Sequence, residues 1–171
     1  MMKLRKRLTN ITNNMAANKK ENKLLLWVCF LAYLLLLGYL LFYSTYFGRG
    51  GHEDYRYNLT FLQEIGRFYG VGMRSGNWNL FILNVCGNVV VFMPIGAFLP
   101  KLFDRCKNLL LTTLLSLEFS LCIELIQLVS RVGSFDVDDL FLNTLGGICG
   151  YLLYMICHII KQGFLKRNSR K

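Results

Sequence analysis

The chain has 171 residues, a formal net charge of +10 and a hydrophobic content of 54%. This length suits one domain, and the apolar residues come in long blocks. The basic residues show no interleaved aromatic face, which argues against a nucleic-acid-binding protein. None of the six cysteines falls between residues 44 and 79, so the framework of a disulfide-rich secreted domain is excluded there.

Four apolar blocks are each about 20 residues long, which is the length a helix needs to cross the hydrocarbon core of a bilayer. They predict helices at about 24–47, 80–99, 109–130 and 136–160. A soluble bundle of buried helices is the alternative, but four such blocks in so short a chain argue against it. The sequence therefore predicts an all-α membrane protein with four transmembrane helices.

Basic residues are divided unequally between the two sides that four spans define. Fifteen of the 20 Lys and Arg residues lie in the N-terminal tail, the loop after the second helix and the C-terminal tail. The positive-inside rule places these three regions in the cytoplasm. We expect a multi-pass protein of the cell membrane with both termini cytoplasmic. Its parts are a basic tail (1–23), a transmembrane domain (24–160) and a second basic tail (161–171).

The segment from 44 to 79 is the predicted outer loop. Within it, apolar residues recur at roughly helical spacing at Phe61, Leu62, Ile65, Phe68 and Tyr69. This pattern suits a short helix lying in the membrane interface. The alternative, which the pattern does not separate from the first, is a loop packed across the helix ends.

Polar side chains in three of the spans keep a helical rhythm. Each set falls on one face of one helix: Asn84 with Asn88, Glu124 with Gln127 and Arg131, and Asp136 with Asp139 and Asn143. Polar groups in hydrocarbon are costly, so a chain that keeps them usually uses them. All three sets would lie in the outer half of the membrane, and we expect them to share one site. The alternative is a polar network that only fixes helix register.

Glu124 is the key residue of this predicted site. In a low dielectric a carboxylate either finds a cation or takes up a proton, and Arg131 is a candidate partner. Glu124 and Asp139 are therefore the candidate catalytic residues. Asp136 and Asp138 with these two could hold Mg²⁺, but acidic clusters often only cap helices. Without a CxxC or His/Cys cluster, we predict no metal and no cofactor.

Two further features of the spans are notable. Glu118, six residues before Glu124, points to another face of the third helix near mid-membrane, and the sequence names no partner for it. The run Gly146-Gly147-x-x-Gly150 contains a GxxxG pattern, which allows another helix to approach closely.

Three ordered motifs resemble the VanZ family: Asn84-Val-Cys-Gly-Asn88, Glu124-Leu-Ile-Gln127 and Phe135-Asp136-Val-Asp138-Asp139 with Asn143 following. The resemblance covers about residues 56–155. It includes Arg56-Tyr-Asn58-Leu59, although the proline that often follows in the family is missing here. The resemblance implies a small bacterial membrane protein of the cell envelope. It also implies a link to low-level teicoplanin resistance, which is associated with the family's namesake.

Two functions are consistent with these features. The first is a binding protein whose outward-facing polar site holds a lipid-linked cell-wall precursor or a lipoglycopeptide, contributing to glycopeptide tolerance. Its ligand-binding set would be Arg56, Asn84, Asn88, Gln127, Arg131, Asp136 and Asn143. The second is an intramembrane enzyme acting on a polyprenyl or phospholipid headgroup, with Glu124 as general acid or base. Expected partners are membrane lipid or a lipid-linked precursor and no nucleic acid, and a homo-oligomer remains open.

Overall fold

The computed structural model describes residues 2–43 and 54–168 and consists largely of long helices. The order along the chain is α1 (Met2–Phe42), β1 (Arg56–Asn58), α2 (Gln63–Ser75), α3 (Asn79–Leu102), α4 (Leu109–Ser130), β2 (Ser134–Asp136) and α5 (Val137–Asn168). Four helices, α1, α3, α4 and α5, are long and apolar enough to cross a membrane. The prediction of an all-α membrane protein with four transmembrane helices is confirmed.

The observed helix limits differ from the predicted ones at several ends. α4 occupies the predicted range of 109–130. α1 begins at Met2, inside the segment assigned to the basic tail, and α5 continues to Asn168. Residues 44–53, where the predicted outer loop begins, lie outside the described residues.

α3 is irregular at its first turns. It contains a π-helical segment at Ile82–Cys86 before the regular helix that starts at Gly87. A π turn inserts one extra residue into the helical repeat, so side chains before and after it no longer keep the ordinary four-residue register. Asn84 lies inside this segment, and Asn88 lies after it.

α3 and α5 make the most extensive helix contact in the bundle, and glycines line it. A Cβ atom on Gly146 would overlap the carbonyl of Val89. A Cβ atom on Gly150 would overlap the carbonyl of Met93, and Gly96 of α3 approaches α5 equally closely. We call this contact the glycine seam. The close approach that the GxxxG pattern predicts is confirmed.

α4 packs against α5 through a stripe of small hydroxyl residues with no exposed surface, namely Thr112, Ser116 and Ser120. Their four-residue spacing places them on one face of the helix. A Cβ atom on Gly147 of α5 would overlap the Ser116 hydroxyl. Thr112 Oγ1 donates to the Cys106 carbonyl at 2.8 Å, and Ser116 Oγ donates to the Thr112 carbonyl at 2.8 Å. Thr112 and Ser116 thus allow close packing while their hydroxyl donors stay paired.

α1 is attached to the bundle by two hydrogen bonds and an apolar cluster. Tyr33 Oη donates to the Val91 carbonyl at 2.8 Å, and Gln127 Nε2 donates to the Leu41 carbonyl at 3.0 Å. The apolar cluster is formed by Leu37, Leu41, Phe92, Ile95 and Ile123. These contacts lie along the C-terminal part of α1.

β1 and β2 pair in parallel at one end of the bundle, with Asn58 opposite Asp136. We call this end, which also carries α2, the strand end. The pairing ties the segment before α2 to the connection between α4 and α5. These strands were not predicted from the sequence, because three residues are too few to show an alternating pattern.

α2 begins at Gln63, later than the helical spacing in the sequence suggests. One face packs on the bundle, where Gly72 lies so close to the Trp78 ring that an added Cβ would come within 2.7 Å of it. On another face apolar side chains are exposed, including Met73. The short helix therefore exists, and it combines packing across helix ends with an exposed apolar stripe.

Candidate functional site

Asp138 is the buried centre of the strand end. Its side chain has only 1% of its surface exposed. One carboxylate oxygen accepts from the Leu62 amide at 2.6 Å, and the other accepts from the amides of Glu64 at 2.9 Å and Ile65 at 3.2 Å. These amides are the unpaired donors at the start of α2. Asp138 therefore caps α2 from a neighbouring helix and fixes α2 against the first turn of α5.

Asp136 caps α5 itself and holds β1. Its Oδ1 accepts from the Asp138 amide at 2.8 Å and from Asn58 Nδ2 at 3.2 Å. Burial raises the pKa of the Asp136 carboxyl above its usual range, while these two hydrogen bonds act in the opposite direction. Asp136 was a predicted ligand-binding residue, and the structure places it among backbone and amide donors of the protein itself.

Glu124 links α4 to this network. The side chain is 2% exposed, and its Oε2 accepts from the Asp136 amide at 3.0 Å. The hydrogen bond joins α4, six residues before its end at Ser130, to the connection that leads into α5. The predicted key residue is thus part of the buried support of the strand end.

Asn88 and Asp139 form the half-buried edge of the same region. Asn88 Nδ2 of α3 donates to Asp139 Oδ1 of α5 at 2.5 Å. Both side chains retain partial exposure, unlike Glu124 and Asp138. The predicted meeting of the second and fourth spans through polar side chains is observed at this pair.

Three other predicted site residues do not join the pair. Asn84 Nδ2 donates to the Leu80 carbonyl of its own helix at 2.8 Å. Asn143 Nδ2 donates to Ser120 Oγ at 2.9 Å, and Gln127 turns towards α1. The three predicted sets of polar side chains therefore make several separate contacts instead of converging on one shared site.

The two predicted arginines lie on the surface of the strand end. Arg131 ends α4 in the left-handed conformation, with φ of 57°, and its guanidinium lies 4.6 Å from the centroid of the Tyr55 ring. Arg56 is an exposed residue of β1.

Comparison with known proteins agrees with this architecture. The profile of the VanZ/LLP1 family matches residues 30–158, which include every residue of the strand end described above. The chain belongs to the VanZ/LLP1 family.

The chain is also similar to Protein VanZ of Enterococcus faecium, with 36% identity over 67 residues. That similarity covers 39% of this chain and 41% of the relative, so the matched region spans less than half of the length of the curated VanZ protein. No solved structure matches the chain significantly. Family membership and the four apolar spans identify a multi-pass membrane protein.

Asp138 is the residue of this VanZ/LLP1 domain that the sequence analysis undervalued. Apart from its place in the third family motif, it was considered only as part of a possible Mg²⁺ cluster. The available signal was its position in the first turn of a helix, two residues after the Asp136 cap. Among the described residues, no group of three or more His, Cys, Asp or Glu side chains is arranged to hold a metal ion.

The strand end combines two chemical environments. Inside, carboxylates accept hydrogen bonds from backbone amides of the protein. At its surface lie the half-buried Asn88–Asp139 pair and the exposed Arg56 and Arg131, which we call the polar rim. Guanidinium groups suit phosphate and carboxylate ligands, and a held carboxylate accepts hydrogen bonds from hydroxyl or amide groups.

Proposed function

We propose that the polar rim binds the headgroup of a lipid-linked molecule of the cell envelope, such as a cell-wall precursor or a lipoglycopeptide. The observation that carries this proposal is the contrast in burial between the rim and its support. Glu124 and Asp138 are 2% and 1% exposed, whereas Asn88 of α3 and Asp139 in the first turn of α5 keep partial exposure. A ligand arriving from the membrane surface would contact the exposed Arg56 and Arg131 before the buried carboxylates.

The chemistry of the rim suits a headgroup that carries both phosphate and sugar or peptide groups. Arg131 and Arg56 supply charged donors for phosphate or carboxylate. Asp139 accepts hydrogen bonds from hydroxyl groups, and the short bond from Asn88 fixes its orientation. The lipid chain of such a ligand would run along the apolar helices in the bilayer.

The orientation of the bundle is part of this proposal. The basic loop between α3 and α4 and both tails lie at the opposite side from the strand end in a four-span topology, so the strand end faces outward. Single cysteines placed at Arg56 and at Arg105 on a cysteine-free background would be labelled with a membrane-impermeant reagent in whole cells. Labelling at position 56 alone agrees with the proposal, and labelling at position 105 alone reverses it.

The direct test is headgroup binding to the full chain in nanodiscs. A polyprenyl pyrophosphate would be titrated against the parent and against Arg131→Gln and Asp139→Asn variants. Arg131→Gln should weaken binding about tenfold or more, as expected for the loss of a charged hydrogen bond worth about 1.5–3 kcal/mol. Arg74→Gln is the matched control, because Arg74 is an exposed cation of α2 at the same end. Equal binding by Arg131→Gln and Arg74→Gln would contradict the assignment of the rim.

A cellular consequence is reduced susceptibility to teicoplanin, which we propose from the similarity to Protein VanZ. Expression of the parent in a susceptible host should raise the inhibitory concentration of teicoplanin. Arg131→Gln and Asp139→Asn should lose this effect while the protein remains in the membrane at parental abundance. Retention of the effect in both variants would show that reduced teicoplanin susceptibility does not depend on the polar rim.

An intramembrane enzyme is the alternative function, and one observation favours it. The 2.5 Å contact with Asn88 holds the partly exposed Asp139 carboxylate in one orientation, as an acid–base residue requires. Because Glu124 is buried, it would position neighbouring groups and would not contact the substrate itself. Incubation with polyprenyl lipids, with and without Mg²⁺, distinguishes binding from catalysis by the appearance of a product that Asp139→Asn does not form.

A further inference from the structure

A second site is suggested by a groove away from the strand-end network. The groove lies between α1, α3 and α4 and has a volume of about 300 Å³. Its lining includes Phe30 and Leu34 of α1, Leu99 of α3, and Phe119 and Cys122 of α4, all around the side chain of Glu118. Of the described residues that line it, Glu118 alone carries a carboxyl group, so the groove is an apolar space with one acidic side chain.

Glu118 has an unusual environment for an acidic residue of a span. It is exposed, and no hydrogen bond or ion pair engages it among the residues that the structure describes. At a rise of 1.5 Å per residue, it lies roughly 13 Å along α4 from Leu109, near the middle of the helix. Ionisable groups at such a depth are costly and usually face a partner, a cavity or a ligand path.

We propose that the groove binds a small lipophilic cation, with its positive charge beside Glu118 and its apolar body against the helices. This proposal concerns a site separate from the polar rim and does not depend on it. The volume lies at the lower end of the range for small-molecule pockets, which is about 300–1,000 Å³. The single carboxyl group supplies the charge complement, and the rings of Phe30 and Phe119 add faces that attract ammonium or phosphonium groups.

The same features argue against a neutral occupant. A lipid acyl chain would fill the apolar part but would leave the carboxyl group in hydrocarbon without a partner. A cation that dissolves in the bilayer reaches the groove laterally and satisfies both the apolar lining and Glu118. The chemical class of ligand is therefore an apolar body carrying one permanent or protonated positive charge.

The test measures binding of radiolabelled tetraphenylphosphonium to the full chain in nanodiscs of zwitterionic lipid, with empty nanodiscs subtracted. Glu118→Gln should weaken binding at least tenfold, and Leu34→Phe should weaken it by filling the groove without changing its charge. Glu21→Gln is the matched control, because Glu21 is an exposed acid of α1 outside the groove. A lipophilic quaternary ammonium should displace the probe, whereas neutral triphenylphosphine oxide should not.

Three results would overturn the proposal. The first is unchanged binding by Glu118→Gln in protein that melts like the parent. The second is an equal loss in Glu118→Gln and Glu21→Gln, which would indicate attraction to overall charge. The third is equal displacement by the neutral and cationic competitors, which would indicate that the groove holds apolar molecules regardless of charge.

Discussion

Glu118 and Glu124 lie on the same helix six residues apart, yet they occupy opposite environments. Glu124 is 2% exposed and accepts a hydrogen bond from the Asp136 amide. Glu118 is exposed in an apolar groove, and the described residues offer it no hydrogen bond or ion pair. An acidic residue in a transmembrane segment can therefore have either of two roles, and its position in the sequence does not show which one it has. A buried carboxylate with a backbone donor supports the fold, whereas an exposed one in an apolar setting is available to a ligand.

The two regions around these residues also differ in how they are held. Side chains that accept from backbone amides hold the strand end, as Asp138 does for α2. Apolar side chains of three helices border the groove, without such hydrogen bonds at Glu118. We therefore expect changes in the strand end to cost stability and changes in the groove to affect ligands with little cost in stability.

The largest expected effect comes from the glycine seam, which holds α3 against α5. Gly150→Leu should lower the free energy of unfolding by about 3 kcal/mol or more, because any Cβ there overlaps the Met93 carbonyl. Gly38→Leu on α1 is the control, since a Cβ there meets nothing within 4 Å. Thermal and denaturant unfolding in detergent would measure both variants. Parental stability of Gly150→Leu would mean that the two helices do not meet at this glycine.

The next effect is the loss of the cap on α2. Asp138→Ala should cost about 2 kcal/mol or more, because three backbone amides lose a buried charged acceptor. Hydrogen exchange should accelerate throughout Gln63–Ser75, while the spans stay protected. Asp54→Ala removes an exposed carboxylate near the same end and should leave exchange unchanged. Unchanged protection of α2 in Asp138→Ala would show that this carboxylate does not stabilise α2.

The same substitution at Glu118 and at Glu124 compares the two carboxylates directly. Glu124→Ala should cost about 1–3 kcal/mol, since it leaves the Asp136 amide buried without its acceptor. Glu118→Ala should change the free energy of unfolding by less than about 0.5 kcal/mol, or increase it, as expected for an exposed substitution away from structural contacts. A comparable cost at both positions would show that the distinction between supporting and available carboxylates does not hold here.

The smallest expected effect is a pH dependence at Asp136. Burial raises the pKa of this carboxyl in the folded protein, so the folded state holds its proton more tightly than the unfolded state does. Its contribution to stability is therefore present below the ordinary pKa of about 4 and is lost as pH rises through the folded pKa. Relative to Asp136→Asn, the parent should lose stability as pH rises above about 4. A parent that becomes more stable relative to Asp136→Asn as pH rises above about 4 would contradict this prediction.

Much of the fold could be predicted because long apolar blocks and a GxxxG pattern inside a span are local signals of helices and of close helix packing. α4 coincides with the predicted span, and the glycine seam lies where Gly146 and Gly150 indicate. The meeting of Asn88 and Asp139 was also within reach, because equal depth in two adjacent spans brings polar side chains together.

The rest depends on contacts that single-helix spacing does not show. The four-residue spacing of Asn84 and Asn88 assumes an α-helix, and the π turn removes that register. Gln127 reaches α1 because of how the helices are arranged, which its position on α4 does not reveal. The β1–β2 pairing joins distant three-residue segments, and without it the capping role of Asp138 has no visible partner.

Photocrosslinking would show whether a lipid-linked headgroup occupies the polar rim. A polyprenyl pyrophosphate with a photoreactive group near the phosphates would be irradiated with the parent in nanodiscs, and labelled peptides would be mapped by mass spectrometry. Binding at the rim should place label on the segments around Arg56, Asn88 and Arg131–Asp139, and Arg131→Gln should lose that label. Label concentrated at Lys101–Lys107, or spread evenly along the spans, would contradict it.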